Sequence, residues 1–485
     1  MPKWREAVRR QAARTVITAV ATVTAAAAVA AVAGATPAGA AGRTSRSGVV
    51  VTIKQPSKHS ISSNFVGLTF EATTLGSAYL DPAQSNLPSF LAELGQGNLR
   101  FGGQTSEINA VWQPVPAPLP SWASFAVTPG DLATVGSLAR ATGWSTDLGV
   151  NLIHYDPAAA ADEVQTAQSA LGASLRQVEI GNEPDIYFYF LGSVTVPIVG
   201  VPTTYPAYLV NWNAYVAAIR AADPGVPIAG PDFFTTAWLP SVTGRAQKGL
   251  SEFTQHYYPY IDCGSTPVSA DQLLSPDSFS AEDSSVLAAA AAARRAHAPL
   301  VLDEINSIAC GSISPAAYQF ASSLWAVHAL LEAASDGVAS VNVQMNPANC
   351  NSYTPLCVPD PSAPGTMEAR PIFYSLQLMS SLEGGTLLKT RIGDADPLPT
   401  GVSEYAVRLQ DGNVAVVVDN TTASDVNQLS LQLDATAQVV SIQQLTAPSL
   451  DSSDGVSLTS STPASGSTSG LTVPADSAEV FTLAP

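Results

Sequence analysis

Two patterns of hydrophobic and polar positions alternate along most of this chain. Short apolar runs typical of buried strands occur at 65–70, 98–101, 146–152, 177–180, 227–230, 253–258, 299–302 and 338–345. Most are separated by amphipathic, Ala/Leu-rich segments that start at Asp, Ser or Pro and end before Gly, as at 156–171 and 314–335. Eight strands that alternate with helices predict parallel β/α units and, by their number, a (β/α)₈ TIM barrel.

The pattern changes after Gly384. Helical periodicity stops, and short alternating runs, as at 404–409, 413–418 and 429–433, are separated by Gly, Asp, Asn and Ser turns. This predicts an all-β sandwich, with long loops or local disorder in the Ser/Thr-rich tract 449–470. We expect an N-terminal segment 41–60 that adds a strand to the sandwich, a catalytic barrel at 61–384 and a C-terminal sandwich at 385–485.

The first 40 residues have the pattern of a signal peptide. Five basic residues precede a long Ala/Val run, which ends at Ala38-Gly39-Ala40. A charged start, an apolar middle and a small-residue cleavage site predict export, with the mature chain starting near Ala41. A membrane anchor is the alternative, but the alanine-rich run and the cleavage pattern favour removal of the segment.

Charge and cysteine content narrow the possible functions. The formal net charge is -18, and removal of the basic signal segment makes the chain more acidic still. Such a protein repels nucleic acids and anionic membranes, so we expect neither as a partner. Four cysteines suit one or two disulfides in an exported protein, and their spacing matches no zinc site. Cys350 and Cys357 close a short loop and form the favoured bridge.

Two of the apolar runs end in glutamate. Glu183 follows the fourth run, directly after Asn182, whose amide can bond a sugar hydroxyl, and Glu304 follows the seventh run. Active sites of (β/α)₈ barrels lie at the carboxyl ends of the strands, and an unpartnered buried carboxylate is costly. Two glutamates that face each other across the barrel mouth form the acid and nucleophile pair of a retaining glycosidase, with carboxyl groups about 5 to 5.5 Å apart.

Neighbouring charged residues compete for this assignment. Adjacent side chains of a strand point to opposite faces, so we expect only one of Asp303 and Glu304 to face the barrel axis. Glu179 shares the parity of Glu183 and should point inward one layer lower, where Arg100 can neutralise it. Arg100 can equally hold Glu304 ionised.

His256 and Tyr257 end the sixth run, at the catalytic end of the barrel. They are either core residues or donors to the nucleophile. Other enzyme classes lack support, because the chain contains no Gly-x-Ser-x-Gly elbow and no His-Glu-x-x-His zinc motif.

Four motifs carry a resemblance to a known family: Leu99-Arg-Phe-Gly-Gly103, Glu179-Ile-Gly-Asn-Glu-Pro184, Gln255-His-Tyr-Tyr258 and Glu304-Ile-Asn-Ser307. In this combination and order, the mature chain resembles glycoside hydrolase family 79, the β-glucuronidases and heparanases. The resemblance implies that Glu183 is the general acid/base and that Glu304, rather than Asp303, is the nucleophile.

The resemblance also implies substrate contacts. Glu71 and Gln104 match positions that hold sugar hydroxyls. The glucuronate carboxylate would be bound by backbone N–H groups around Cys310 and Gly311, and by Tyr353. The family often has a tyrosine and a glycine pair in this loop, so Ala309-Cys310 departs from its pattern, although backbone donors can survive such a change. A disulfide between Cys263 and Cys310, which follow the sixth and seventh runs, would fix this loop.

The sequence thus predicts a secreted, monomeric, retaining β-glucuronidase that removes β-linked glucuronic acid from glycans or glucuronides, without metal or other cofactor. Three alternatives remain open. A β-glucosidase or β-xylosidase of the same clan would share the glutamate pair but not the carboxylate-binding loop. A heparanase-like enzyme would cleave within a chain. A non-catalytic carbohydrate-binding protein would be expected to have lost one glutamate, and both are present.

Overall fold

The computed structural model describes residues 48–190, 200–243, 249–264, 266–311, 313–393, 397–433 and 436–485. The predicted signal peptide, residues 1–40, lies outside these ranges. Within them, no helix combines the length and apolar character that a membrane crossing requires.

In chain order, the strands are β1 (Val50–Ser60), β2 (Val66–Glu71), β3 (Asn98–Gly102), β4 (Ala110–Trp112), β5 (Phe125–Val127), β6 (Ser145–Val150), β7 (Leu175–Ile180), β8 (Ile228–Phe233), β9 (Phe253–Tyr257), β10 (Tyr260–Ile261), β11 (Leu300–Ile305), β12 (Ile308–Ala309), β13 (Ser340–Gln344), β14 (Leu356–Cys357), β15 (Glu368–Ala369), β16 (Thr386–Ile392), β17 (Val402–Arg408), β18 (Val414–Asn420), β19 (Val426–Gln432), β20 (Gln438–Thr446), β21 (Ser457–Ser461), β22 (Leu471–Val473) and β23 (Ser477–Ala484). The helices are α1 (Leu87–Leu94), α2 (Gly103–Ile108), α3 (Pro129–Thr142), α4 (Pro157–Leu171), α5 (Tyr187–Phe190), α6 (Tyr205–Ala222), α7 (Ala270–Leu273), α8 (Pro276–Ala296), α9 (Phe320–Asp336) and α10 (Pro371–Ser380).

Eight parallel strands close into a barrel in the order β11, β13, β2, β3, β6, β7, β8 and β9, and β9 pairs with β11 to complete the circle. They coincide with the eight apolar runs, so the prediction of a (β/α)₈ barrel is confirmed. Leu99 and Phe101 belong to the apolar core, whereas Arg100 is fully buried and pairs with the buried carboxylates of Glu179 and Asp303. The barrel interior is therefore charged where these strands approach their carboxyl ends.

Helix α4 lies where the sequence predicts it. The side chain of Asp156 caps it by accepting a hydrogen bond of 3.0 Å from the Ala159 N–H, and Gly172 follows its last residue. A capping carboxylate satisfies one of the N–H groups that have no partner in the first turn of a helix.

Helix α9 begins at Phe320, six residues after the predicted start, because a 3₁₀ turn over Pro315–Ala317 comes first. The N–H groups of Phe320 and Ala321 donate to the carbonyls of Ser452 and Leu450, at 2.8 and 3.1 Å. The C-terminal part of the chain therefore satisfies donors that the helix itself leaves open.

The C-terminal part forms a nine-stranded sheet in the order β21, β20, β23, β18, β17, β16, β1, β19 and β22. Its described pairs are antiparallel except for β1 with β19. Side chains on the two faces of β18 belong to different hydrophobic clusters. Val416 belongs to a cluster formed by residues of the C-terminal sheet alone, whereas Val417 belongs to the core that also contains the barrel residues. The predicted all-β domain is confirmed, and it packs on the barrel through an apolar face.

The Ser/Thr-rich tract is more regular than the sequence predicts. Residues Ser457–Ser461 form β21, which pairs with β20 from Ser457 opposite Thr446 to Ser461 opposite Ile442. Ser and Thr suit a solvated edge strand once a neighbouring strand supplies the hydrogen bonds, and the local sequence does not contain that information.

Candidate active site

Glu183 lies just beyond the carboxyl end of β7, on a tightly held turn. Its backbone is left-handed (φ 52°, ψ 50°), and Pro184 begins a 3₁₀ turn directly after it. Its N–H donates to the Asp232 carbonyl at 2.9 Å. The N–H of Asn182 donates to Glu107 Oε1, also at 2.9 Å. A non-glycine residue with positive φ is uncommon, and these neighbours hold it in place.

Glu304 lies on β11 and accepts two hydrogen bonds. Arg100 Nη1 donates to its Oε2 at 2.9 Å, and the Tyr258 hydroxyl donates to its Oε1 at 2.8 Å. Two donors, one of them charged, stabilise the negative charge of a carboxylate and fix its orientation.

The two predicted glutamates face each other. One oxygen of Glu183, one oxygen of Glu304 and a ring nitrogen of His256 all lie within 4.8 Å of one another. His256 Nδ1 is 3.0 Å from Glu183 Oε1 and 3.8 Å from Glu304 Oε2. Both glutamates are buried, with 8% and 6% of their surfaces exposed, so His256 connects two buried carboxyl groups.

Arg100 is the centre of the charged barrel interior. Its guanidinium lies 2.6 Å from Glu179, 3.2 Å from Asp303 and 3.3 Å from Asp232, in addition to its contact with Glu304. The expected pairing with Glu179 and the contact with Glu304 are thus both present. The planar fork of arginine suits such multiple pairing.

The expectation that only one of Asp303 and Glu304 faces the axis is wrong. Both contact Arg100, because the strand pairing is irregular at these residues. The register of β11 shifts between Leu302 and Ile305 against β13, and between Val301 and Glu304 against β9. A β-bulge breaks the alternation of side chains, which brings both carboxylates inward.

The carboxyl groups of the site have different pKa values because their environments differ. Burial raises the pKa of Glu183 to about 7 against the opposing effect of the His256 hydrogen bond, and Glu304 raises it further. Burial would also raise the pKa of Asp303, but His256 and Arg100 hold it below its usual value. Burial would lower the pKa of His256, yet Glu304 and Asp303 raise it well above its usual value. Glu183 is therefore suited to carry a proton near neutral pH.

Glu71, at the end of β2, also belongs to the cluster of side chains around Glu183 and Glu304. The N–H and the hydroxyl of Thr105 donate to its Oε2 at 2.8 and 2.7 Å, and Gln344 donates to its Oε1 at 3.2 Å. Burial, followed by the nearby Glu304, raises the pKa of Glu71 to about 7. Gly103 permits this approach, because a Cβ there would lie 2.5 Å from Glu71 Oε2. Gln104 is exposed on the first turn of α2.

The loop expected to recognise a carboxylate packs against Tyr353. Cys310 is bonded to Cys263, so the loops after β9 and β11 are joined. Gly311 has φ +50°, and a Cβ there would lie 2.7 Å from the Tyr353 ring. Burial raises the pKa of Tyr353, and the charges of Glu71 and Glu304 raise it further. The second disulfide joins Cys350 and Cys357, as the short loop predicts.

The structure does not bring Tyr257 to this group. Burial and the charge of Glu282 on α8 raise its pKa, and the alternation of side chains along β9 directs Tyr257 to the face opposite His256. Tyr258 takes the inward position and its ring meets Tyr353 edge-on, with centroids 6.2 Å apart. Tyr258 shares the parity of His256, and this alternation is the signal that could have identified it.

Asp232 and Glu107 are two further buried carboxylates around the site, and no sequence pattern singled them out. Asp232 lies on β8 beyond the apolar run, and Glu107 lies on α2 after the glycine pair. Both are fully buried. Glu107 accepts three backbone hydrogen bonds, from Leu152, Ile153 and Asn182. No simple spacing marks such a carboxylate in sequence, because its partners are backbone N–H groups of distant loops.

Among the described residues, three clusters have the spacing of metal ligands: Glu183-His256-Glu304, Asp232-His256-Asp303 and Cys350-Cys357-Glu368. The first two share His256, whose raised pKa favours a protonated ring without a lone pair for a metal. In the third, both cysteines are joined in a disulfide. The third cluster therefore offers no thiolate to a metal ion.

No protein-family profile matches the chain, and no curated protein sequence does. Solved structures do. The chain resembles a 4-O-α-L-rhamnosyl-β-D-glucuronidase from Fusarium oxysporum 12S (TM-score 0.69, 19% identity, 89% of this chain and 100% of that one). It also resembles a GH51 arabinofuranosidase from Xanthomonas axonopodis pv. citri (0.67, 15%, 90% and 100%) and the catalytic domain of GH30 xylanase C from Talaromyces cellulolyticus (0.55, 14%, 90% and 100%). At these identities the likeness establishes the fold, a barrel with a large β domain that several glycosidases share.

Proposed function

We propose that this protein is a retaining glycoside hydrolase in which Glu183 is the general acid/base and Glu304 is the nucleophile. The observation that carries the proposal is the approach of the two carboxyl groups, with one oxygen of each within 4.8 Å. Retaining enzymes hold their carboxyl groups about 5 to 5.5 Å apart, whereas inverting enzymes leave about 6.5 to 9.5 Å for a water molecule. The spacing therefore supports direct attack by a carboxylate.

The environments support the two roles. Glu183, whose pKa is raised to about 7, gives its proton to the glycosidic oxygen while a Glu304 oxygen bonds to the anomeric carbon and the aglycone leaves as an alcohol. In the second step, ionised Glu183 takes a proton from water, whose oxygen attacks the anomeric carbon and displaces Glu304. Arg100 and Tyr258 donate hydrogen bonds to Glu304. They orient its carboxylate for the attack in the first step and stabilise the negative charge that returns to it in the second step.

For the substrate, we propose a β-linked glucuronic acid at the end of a glycan or glucuronide. Three observations support this choice: the motif resemblance to family 79, the Cys310-Gly311 loop that lies against Tyr353, and a structural neighbour whose name includes glucuronidase. We propose that Glu71, which lies near Glu304, binds sugar hydroxyls and that the side-chain amide of Asn182, directly before Glu183, bonds a sugar hydroxyl. Gln104, which is exposed on the first turn of α2, is proposed as a further sugar contact.

The same proposal includes the cellular setting. A signal-peptide pattern at residues 1–40 and two disulfides among the described residues fit a secreted protein, since disulfides persist in oxidising compartments. We propose a monomer that acts outside the cell.

Hydrolysis of 4-nitrophenyl β-glucuronide, β-glucoside, β-xyloside and α-L-arabinofuranoside by the purified protein tests the proposal. We expect the glucuronide to be strongly preferred, and Glu304→Gln to lower kcat/KM by at least roughly 10³-fold. Glu93→Gln is the matched control, because Glu93 is exposed and bonded to Gln377 far from the site. Preference for another glycoside would contradict the proposed substrate but not the proposed mechanism. Equal activity of Glu304→Gln and the unaltered protein would overturn the mechanism.

A further inference from the structure

A cavity lies at the carboxyl end of the barrel, and its lining does not include Glu183 or Glu304. It has a volume of about 550 Å³ and lies between the loop after β6, strand β4 and helix α4. Its walls include Trp112, Trp122, His154, Tyr155 and Glu163. None of these residues has a role in the proposed reaction, and the volume falls within the range of small-molecule sites.

The aromatic walls of this cavity are held in fixed orientations. Trp122 stacks on the His154 ring, with centroids 3.6 Å apart and planes 9° apart. The Trp112 indole N–H donates to Asp162 Oδ2 at 2.7 Å. Tyr155 remains about half exposed. Rigid aromatic faces that need no reordering lose little entropy when a ligand binds, and they suit a ligand with an apolar face.

Glu163 supplies an independent sign of a ligand. It lies on α4 with only 7% of its surface exposed, and it lines the cavity. In the part of the chain that the structure describes, no hydrogen bond or ion pair reaches its carboxyl group. Its carboxyl oxygens are not among the fully enclosed polar atoms that lack a partner, so they remain accessible from the cavity, where a ligand can exchange hydrogen bonds with them.

The state of Glu163 distinguishes two kinds of ligand. Burial, helped by Asp162, raises the pKa of Glu163 to about 8, so the group is protonated at neutral pH. A protonated carboxyl offers one donor together with acceptor oxygens, which matches a hydroxyl group. A cation would instead require the ionised form, which burial disfavours.

We propose that this cavity binds a sugar ring, which stacks on the Trp122 wall and exchanges hydrogen bonds with Glu163, at a site separate from the catalytic pair. The cavity wall and the catalytic turn share one anchor. Glu107 accepts hydrogen bonds from Ile153 in the wall loop at 2.8 Å and from Asn182 beside Glu183 at 2.9 Å. A sugar held here would therefore lie at the same carboxyl end of the barrel as Glu183 and Glu304, and the site does not depend on their activity.

Calorimetric titration of the purified protein tests the site directly. The probes are methyl β-D-glucopyranoside, methyl β-D-xylopyranoside and methyl β-D-glucuronide, with phenyltrimethylammonium as the cationic probe. We expect Trp122→Ala and Glu163→Leu to weaken binding of at least one glycoside by about tenfold. Trp122→Phe retains a stacking face and Glu163→Gln retains a donor and an acceptor, so both should bind nearly normally, with unchanged thermal unfolding.

Two results would overturn the proposal. In one, none of the glycosides loses affinity in Trp122→Ala or in Glu163→Leu. In the other, phenyltrimethylammonium binds and Glu163→Gln abolishes that binding, which would show a site for cations. Because the titration needs no turnover, Trp122-dependent glycoside binding by a protein that cleaves no aryl glycoside would support this site and contradict the proposed hydrolysis.

Discussion

Arg100 balances several carboxylates inside the barrel and touches the proposed nucleophile. We expect Arg100→Lys to lower kcat by roughly 10²-fold or more and the free energy of unfolding by about 3 kcal/mol, because an ammonium cannot replace a forked guanidinium among buried carboxylates. Arg176→Lys is the control, since Arg176 pairs with Asp147 and Glu252 outside the site. That variant should lose stability and keep its kcat. Similar kcat losses in both would contradict a role of Arg100 at the site.

The pKa of Glu183 predicts the alkaline limit of activity. The reaction needs protonated Glu183, and its pKa is raised to about 7, so kcat should fall as the pH rises through about 7. With a 2,4-dinitrophenyl glycoside, whose leaving group needs no proton, the fall should be much weaker. Glu183→Gln should spare that substrate relative to an alkyl glycoside. An alkaline limb that is the same for both leaving groups would assign the titration to another residue.

At the residue scale, strand-end logic found Glu183 and Glu304, and the structure brings them together. It was less useful for aromatic side chains: the sequence singled out Tyr257, whereas Tyr258 reaches Glu304. The pairing of Asp303 with Arg100 was unforeseen, since it depends on a bulge in β11. Alternation predicts side-chain direction only while the strand pairing stays regular.

The loop after β11 is the element on which substrate choice should depend. Gly311→Ala places a Cβ about where the Tyr353 ring lies, so we expect KM for the glucuronide to rise several-fold. Gly172→Ala is the matched control, because Gly172 also has positive φ (+59°) but nothing lies within 4 Å of a Cβ there. Both variants strain the backbone, because φ is positive at both glycines. Only Gly311→Ala should change KM, as measured by steady-state kinetics, and equal KM values would contradict contact of this loop with substrate.

At the element scale, the eight barrel strands could be predicted because each is an apolar run bounded by helix caps. The start of α9 could not be predicted, because its first N–H groups donate to the carbonyls of Leu450 and Ser452, more than a hundred residues away. Strand β21 depends in the same way on β20. Local sequence determines helix and strand propensity and helix capping. The start of α9 and the formation of β21 depend instead on partners that are distant in the sequence.

Across the whole molecule, many buried carboxyl groups have raised pKa values. The pKa is about 7 for Glu71, Glu107 and Asp232, and about 8 for Glu282, with burial as the leading cause. The folded protein therefore holds protons at a pH where the unfolded chain, with ordinary values near 4, has lost them. This contribution to stability is complete below about pH 4 and is lost as the pH rises through 7 to 8.

We accordingly expect Tm to be higher at pH 5 than at pH 8, by about 5 °C or more, in scanning calorimetry at constant ionic strength. Glu282→Gln, which removes one such group, should lessen the difference, whereas Glu93→Gln should not. A Tm that rises from pH 5 to pH 8 would contradict these protonation states.

The most direct test of the account is the configuration of the first sugar released from an aryl β-glucuronide, followed by proton NMR before mutarotation. Carboxyl oxygens within 4.8 Å predict double displacement, so the β-anomer should appear first and the α-anomer only later. Initial release of the α-anomer would mean that a water molecule attacks directly, and would contradict the assignment of Glu304 as the nucleophile.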